Sequence, residues 1–293
     1  MVSAPFDYVA VHSYDDAVQQ LAHFGDEAVI IAGGQSLVPM LNLRLARPSV
    51  LIDINGADLR EPVIEGEVLR LPAMTRHRIL MEHPLVRQYC PLLADAVRHV
   101  GNVRVRNRGT IGGSLAHADP TGEISSCALV LDAQAVVRSP DGERIVPVRE
   151  LFVTYLTTAL EHPEVITDVL VRVTRPRQGW SFHEMVRRTS DFAIVAVAAW
   201  IRLDERADVV AAAHVALAGV AGRVVLAAPE LVAELIGIAP DEVTLAHVAA
   251  GIARSADPSS DVHASGDYRR RLVQVLSARA LRDAFDKARG ETA

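Results

Sequence analysis

The residues whose chemistry stands out are two glycine pairs, Gly33-Gly34 and Gly112-Gly113, each with a hydroxyl close behind, Ser36 and Ser114. A pyrophosphate carries negative charge on both phosphates and is held by backbone N–H groups that must come close to its oxygens. Glycine permits that approach because no Cβ intervenes. Two such pairs could face one ligand, and each hydroxyl could donate to phosphate. Taken singly, a Gly-Gly is more often an ordinary turn, and that reading stays open at this point.

Other phosphate and catalytic signatures fall away. No G-x-G occurs, so the Rossmann fingerprint is absent, and a Walker A loop is impossible because Lys287 is the single lysine. Ser114, His117 and Asp119 invite a hydrolase triad, yet neighbours on one loop rarely converge as three side chains must, and no G-x-S-x-G supports it. The eleven histidines show no H-E-x-x-H or comparable metal spacing. Cys90 and Cys127 supply neither a disulfide framework nor the four thiolates of an iron–sulfur cluster, and read as buried, reduced thiols. No catalytic side chain and no metal site is assigned.

The elements that must position the glycines follow from periodicity. Residues 8–11, a helix capped by Ser13 and ending at Gly25, and a buried strand over 28–32 form a β-α-β unit, and a further strand over 50–54 closes it. Residues 63–65 and 68–71 flank Gly66 as a hairpin, Thr75 reads as a helix cap, and 85–100 reads as one helix. Arg104, Arg106 and Arg108 alternate, as on one face of an extended strand, either a solvated edge or a subunit contact. The second glycine loop leads to a helix near 124–131, then a hairpin turning at Asp141-Gly142 and a last strand over 169–173. Residues 175–179 read as a linker. Beyond it, 180–186, 193–203 and 211–220 suggest an antiparallel sheet, followed by helices near 229–236, 241–253 and 267–288. Arg269-Arg270-Arg271 opens the last of these at the end where the dipole disfavours cations, which suggests a salt-bridged interface.

With 293 residues, half of them hydrophobic and 23 % charged, the chain has room for about two domains and is not disordered. The net charge of −6 argues against a nucleic-acid binder. The most apolar run, 192–201, is bounded by Asp191 and Arg202, well short of the ~20 residues that span a bilayer. The first residues lack the character of a signal peptide, so a cytoplasmic location is expected.

Ala32-Gly33-Gly34-Gln35-Ser36 with Leu37-Val38-Pro39-Met40, and Thr110-Ile111-Gly112-Gly113-Ser114 with Ala118-Asp119-Pro120, resemble the FAD-binding medium subunit of molybdenum hydroxylases, the carbon monoxide dehydrogenase and xanthine dehydrogenase family. Arg187-Arg188-Thr189-Ser190-Asp191-Phe192-Ala193 is similar to a third motif of that family, R-x-x-x-D-[YF]-A, and the resemblance runs from Phe6 to the end. It implies an α+β protein. A two-part FAD-binding domain of the vanillyl-alcohol-oxidase (PCMH) type would cover 1–176, with subdomains about 1–55 and 56–176. A smaller α+β C-terminal domain, an antiparallel sheet plus helices, would cover 177–293.

Carried over by position, the resemblance assigns the pyrophosphate to backbone at Ala32, Gly33, Gly34, Gln35 and Ser36, with Leu37 following, and to Thr110, Gly112, Gly113 and Ser114 opposite. His117, Asp119 and Glu123 match positions along the ribityl chain and phosphates, Ile166 a backbone contact near the flavin ring, and Asp191 and Phe192 residues beside that ring. A carboxylate at Glu123 suits ribityl or ribose hydroxyls, and as plainly suits the first turn of a helix. Two departures stand out: Ser114 replaces the family's usual Asn, and His183-Glu184 occupies a segment where some relatives carry lysine.

The implied function is electron transfer by FAD within a heteromeric molybdenum hydroxylase. A small subunit would carry the [2Fe-2S] clusters and a large one the molybdopterin, assembled as a dimer of heterotrimers that delivers electrons to an external acceptor. A self-contained flavin oxidase or reductase of the same fold is the alternative, and a scaffold that has lost FAD a remoter one.

Overall fold

The computed structural model describes residues 3–291. The chain opens with strand Asp7–Ala10, helix Tyr14–Phe24 and strand Ala28–Ile31. Ser13 caps the helix by accepting the Asp16 amide at 3.0 Å, and Gly25 ends it at a φ of +60° that glycine adopts without penalty. Strand Val50–Asp53 enters between the first two, parallel to both. Ala17, Val18 and Leu21 on the inner face of the helix meet Ile52 and Ile54 in a small core of their own.

A five-stranded antiparallel sheet follows. Its central strand, Val165–Arg172, is the last in sequence and is flanked by Val68–Pro72 on one side and Gln134–Ser139 on the other; Val63–Glu65 and Gly142–Pro147 form the edges. Its register shifts between Ile166 and Asp168. The buried Asp168 carboxylate there meets Arg60 at 3.1 Å and Arg70 at 3.5 Å.

Four expectations for this half are corrected. The helix read over 85–100 is two, Pro84–Tyr89 and Pro91–Ala96, because Pro91 cannot donate the amide that continuity requires. Thr75 caps nothing: Arg76 takes the N-cap position of helix His77–Glu82, and the Thr75 hydroxyl is buried without a partner. The arginines at 104, 106 and 108 lie on a short helix, Val103–Arg108, which Asn102 starts by accepting the amides of Arg104 and Val105. Arg106 turns back onto the carbonyls of Val100 and Gly101, leaving Arg104 and Arg108 exposed. Finally, Gly112 and Gly113, read as a loop, form the first turn of helix Ile111–His117, capped by Thr110.

Strands Gln178–Met185, Val195–Leu203, Val210–Ala218 and Val225–Leu226 form the second antiparallel sheet, and Gln178, read as linker, already pairs with Arg202. Helices Glu242–Ser255 and Gly266–Arg289 cover one face. A Cβ on Gly179 would fall 1.9 Å from the Ala284 carbonyl, so the long helix lies directly on the edge strand. Val195, Val197 and Ala199 point into this helical layer, while Ala196 and Ala198 join the core of the first half, so the strand is buried on both faces.

The covering element on the second face is helix Glu123–Val130, every residue of which from Ile124 to Val130 is buried. It packs against strands Val195–Leu203 and Val210–Ala218 and against helices Pro91–Ala96 and Ile111–His117, burying Ser125 and Ser126 along with its apolar residues. Arg269, expected in a salt-bridged interface, is only 6 % exposed and reaches inward within its own chain to the carbonyls of Ile194 and Gly219 and, at 2.7 Å, to Asp261.

Candidate cofactor site

A cavity of about 810 Å3 lies among the parallel sheet, the five-stranded sheet and the start of the second sheet, at the upper end of the range for small-molecule sites. All sixteen positions singled out from the sequence line it: Ala32 to Leu37, Thr110, Gly112, Gly113, Ser114, His117, Asp119, Glu123, Ile166, Asp191 and Phe192. Segments separated by more than a hundred residues therefore converge on one space.

The first glycine loop connects strand Ala28–Ile31 to helix Leu37–Asn42. None of the amides from Gly33 to Ser36 donates to a backbone acceptor among the described residues. Gly34 holds a φ of +72°, a left-handed conformation that glycine adopts without penalty. These free donors at the edge of an open cavity form an anion cradle.

The second motif is built differently. The Ile111 amide donates to Thr75 and the Gly112 amide to Ala73, while those of Gly113 and Ser114 donate to the hydroxyl and carbonyl of Thr110. Their amides being taken, the glycines here supply space. A Cβ on Gly112 would lie 2.5 Å from the Ala73 Cβ, and one on Gly113 2.8 Å from the Thr110 hydroxyl.

Ser114 supplies the polar group on this side, and its orientation is set by His77, a residue the sequence reading missed. His77 Nε2 lies 3.1 Å from the Thr110 carbonyl and 3.0 Å from Ser114 Oγ. A carbonyl only accepts, so Nε2 carries the hydrogen, and the buried Nδ1 keeps its lone pair with no partner. Burial, with Arg106 and Arg76 nearby, lowers the imidazole to about 4. A neutral donor cannot take the serine proton, which excludes a nucleophilic dyad. Ser114 Oγ accepts from His77 and keeps its own hydrogen for the cavity.

Glu123 opens the buried helix and lines the cavity; burial pushes its carboxyl up to about 7, with Glu184 and Asp119 adding to the rise. Asp119 is occupied in a turn, accepting the Thr121 amide at 2.8 Å and hydroxyl at 2.7 Å. Ile166 lies at the register shift of the central strand. Asp191 and Phe192 sit at the rim, Phe192 74 % exposed, so it is no core residue. His183 and Glu184 do not line the cavity; His183 lies 2.7 Å from Asp283, and Glu184 3.1 Å from His99 across the seam between the two halves.

Comparison with known proteins matches residues 4–173 to the FAD-binding domain in molybdopterin dehydrogenase. The chain belongs to the FAD-binding medium-subunit family of the molybdenum hydroxylases. Residues 180–284 match the carbon monoxide dehydrogenase flavoprotein C-terminal domain. Among relatives of this family, 6-hydroxypseudooxynicotine dehydrogenase complex subunit alpha from Paenarthrobacter nicotinovorans is 37 % identical, over 97 % of this chain and 96 % of that one. The carbon monoxide dehydrogenase medium chain of Hydrogenophaga pseudoflava is 33 % identical, over 97 % of this chain and 99 % of that one. A solved carbon monoxide dehydrogenase from Hydrogenophaga pseudoflava superposes with a TM-score of 0.94 at 33 % identity, over 98 % of this chain and 99 % of that one.

The cavity fits the cofactor of the family. A flavin dinucleotide needs amide donors for two phosphates, hydroxyl partners for a sugar chain and apolar walls for flat rings. The free amides of 33–36, the Ser114 hydroxyl with Glu123, and walls that include Ile54, Ile124 and Ile166 are of those kinds. Among the described residues no cluster of three His, Cys, Asp or Glu could hold a metal ion, and no helix is long and apolar enough to cross a membrane.

Proposed function

We propose that this medium subunit carries FAD in the cavity and relays electrons within a molybdenum hydroxylase complex. Bound there, FAD would supply the redox chemistry, with electrons coming from [2Fe-2S] clusters of a small partner subunit and going to an external acceptor, while a large subunit would carry the molybdopterin at which substrate is hydroxylated. The proposed assembly is a dimer of heterotrimers in the cytoplasm. The observation that carries the reading is the convergence of three sequence motifs and a run of unused amides on one cavity.

The chain's own residues bind, orient and shield. Amides of Gly33 to Ser36 hold the phosphates, with Ala32 and Leu37 flanking them. Gly112 and Gly113 give the opposite wall its closeness under the Thr110 cap, and Ser114, oriented by His77, donates to the ligand. His117, Asp119 and Glu123 border the ribityl chain. Ile166 backs the ring, and Asp191 with Phe192 governs access at the rim. We place the boundary between the FAD-binding domain, with its subdomains 1–55 and 56–176, and the C-terminal domain at 176/177.

The test is to purify the chain with its accompanying subunits, extract cofactors and identify the subunit holding each, alongside the chain alone. Flavin on this chain with iron–sulfur and molybdenum on partners supports the reading. Flavin together with substrate turnover by the isolated chain overturns it in favour of a stand-alone flavoenzyme.

A further inference from the structure

A second, smaller cavity of about 170 Å3 is lined by Asn55 and Arg76, neither of which lines the large one. Both nevertheless reach the backbone of the glycine loops. Asn55 Nδ2 donates to the Ala32 carbonyl at 2.9 Å, and Asn55 Oδ1 accepts from the Arg76 guanidinium. The other arm of Arg76 donates to the Arg108 carbonyl, immediately before Gly109. Asn55 is itself fixed by Asp53 Oδ1, which accepts its backbone amide at 2.7 Å, and Asp53 accepts in turn from the Tyr8 hydroxyl.

The acceptors of Arg76 in this chain are neutral oxygens on two separate segments. A planar guanidinium fork suits that task because one rigid group spans both. Half-burying a cation on neutral acceptors stabilises the fold little, whereas fixing two glycine-rich segments relative to each other restricts backbone that glycine leaves unusually free.

We propose that Asn55 and Arg76 are positioning residues for the cofactor: they tie the carbonyl before Gly33 to the carbonyl before Gly109 and so hold the two glycine motifs at the separation that FAD requires, without touching it. The proposal rests on the reading that these motifs hold the pyrophosphate. A cradle assembled before the ligand arrives costs less to occupy, so the brace acts on affinity.

The test titrates FAD into the flavin-free full chain, purified with any accompanying subunits, for Arg76→Met, Asn55→Ala, their combination and Arg76→Lys. ADP, which carries the pyrophosphate without the flavin, is the competing probe. Each single substitution is expected to lower the affinities for FAD and ADP by about tenfold, about 1.4 kcal/mol. The double variant should be little weaker than the singles, because the two residues act as one unit. Arg76→Lys, reaching one carbonyl, should fall between. Amide exchange without flavin should quicken at residues 32–36 and 108–113 and stay unchanged in the sheet at 195–203. Leu276→Ala, in the distant C-terminal core, should lower the melting temperature with FAD affinity unmoved.

Wild-type affinity and exchange in Arg76→Met overturn the proposal, as does an additive double variant. If Arg76→Met fails to fold, Asn55→Ala and Arg76→Lys decide by the same readouts. If instead wild type binds FAD but ADP does not compete and Gly33→Ala binds normally, it is the pyrophosphate reading that fails. Loss of binding in Gly33→Ala with normal binding in the brace variants sinks the brace alone.

Discussion

Gly33 lies so close to Arg108 that a Cβ built on the glycine would fall 2.3 Å from the arginine's carbonyl oxygen. The two glycine motifs are therefore in backbone contact, and the first glycine is required by the second motif as much as by any ligand. Gly33→Ala forces one segment to move by more than a side chain can absorb. We expect a fold that survives with a lowered melting temperature and FAD affinity reduced by at least tenfold, checked by flavin fluorescence titration. Gly66→Ala, in a hairpin turn open to solvent, should lose some stability through its φ of +62° and leave FAD affinity unchanged.

The hydroxyl of Ser114 accepts from His77 and so donates into the cavity. Ser114→Ala removes that donor without altering the shape of the helix. The expected loss is about 1 kcal/mol, roughly fivefold in FAD affinity, with melting temperature nearly constant. His77→Leu should cost more stability than Ser114→Ala, because the Thr110 carbonyl then loses one of its two donors, keeping only the Ser114 amide, and the buried Ser114 contact is lost with it. Equal FAD affinity in wild type and Ser114→Ala would remove Ser114 from the site.

How far the site was legible depends on the kind of signal each residue leaves. The first glycine loop could be read because a strand, a glycine pair and a short helix are all local. His77 could not, since a histidine within an amphipathic helix looks like any other, and its bond to Ser114 spans 37 positions. Arg76 and Asn55 were equally silent, because they act on backbone carbonyls that no side-chain pattern betrays. The arginines at 104–108 misled because alternation on five residues fits a strand, while one cap, Asn102, sufficed to start a helix. At Arg269 the unfavourable helix end pointed to an ion pair, which Asp261 supplies, but nothing local signals the carbonyls of Ile194 and Gly219 that it also meets.

Two buried groups near the cavity should oppose each other in the pH dependence of stability. Burial raises Glu123 from the ordinary carboxyl value to about 7, so the flavin-free fold holds an extra proton between about 4.5 and 7 and loses stability as pH rises through that range. Burial lowers His77 from 6.5 to about 4, so the unfolded chain holds the extra proton between those values and stability rises with pH there. Wild type should show a shallow profile from pH 4.5 to 6.5. Glu123→Gln should leave a profile that rises with pH, and His77→Gln one that falls. Thermal melts of the flavin-free protein check this, and parallel profiles in all three would refute it.

Arg269 ties the rim of the cavity to the far helical layer. Its guanidinium donates to the carbonyl of Ile194, two residues beyond Phe192, and to that of Gly219 at 3.1 Å; the Gly219 amide donates to Pro120, beside Asp119, at 2.9 Å. Arg269→Met keeps the apolar stem and leaves two carbonyls without their donor. The expected loss is about 2 to 4 kcal/mol, a fall in melting temperature of roughly 5 to 15 °C. Asp261 also reports the change. Backbone amides at Ala264 and His263, together with Arg269, hold its carboxyl down to about 2, so it contributes stability above the ordinary value of 3.8 that is lost as pH falls toward 2. Without Arg269 that acid limb should be smaller and end at a higher pH, its onset near 3.8 being set by the unfolded chain. Because Ile194 and Pro120 both border cavity residues, FAD affinity should fall as well, and Arg270→Met, on an exposed neighbouring pair, should change neither quantity appreciably.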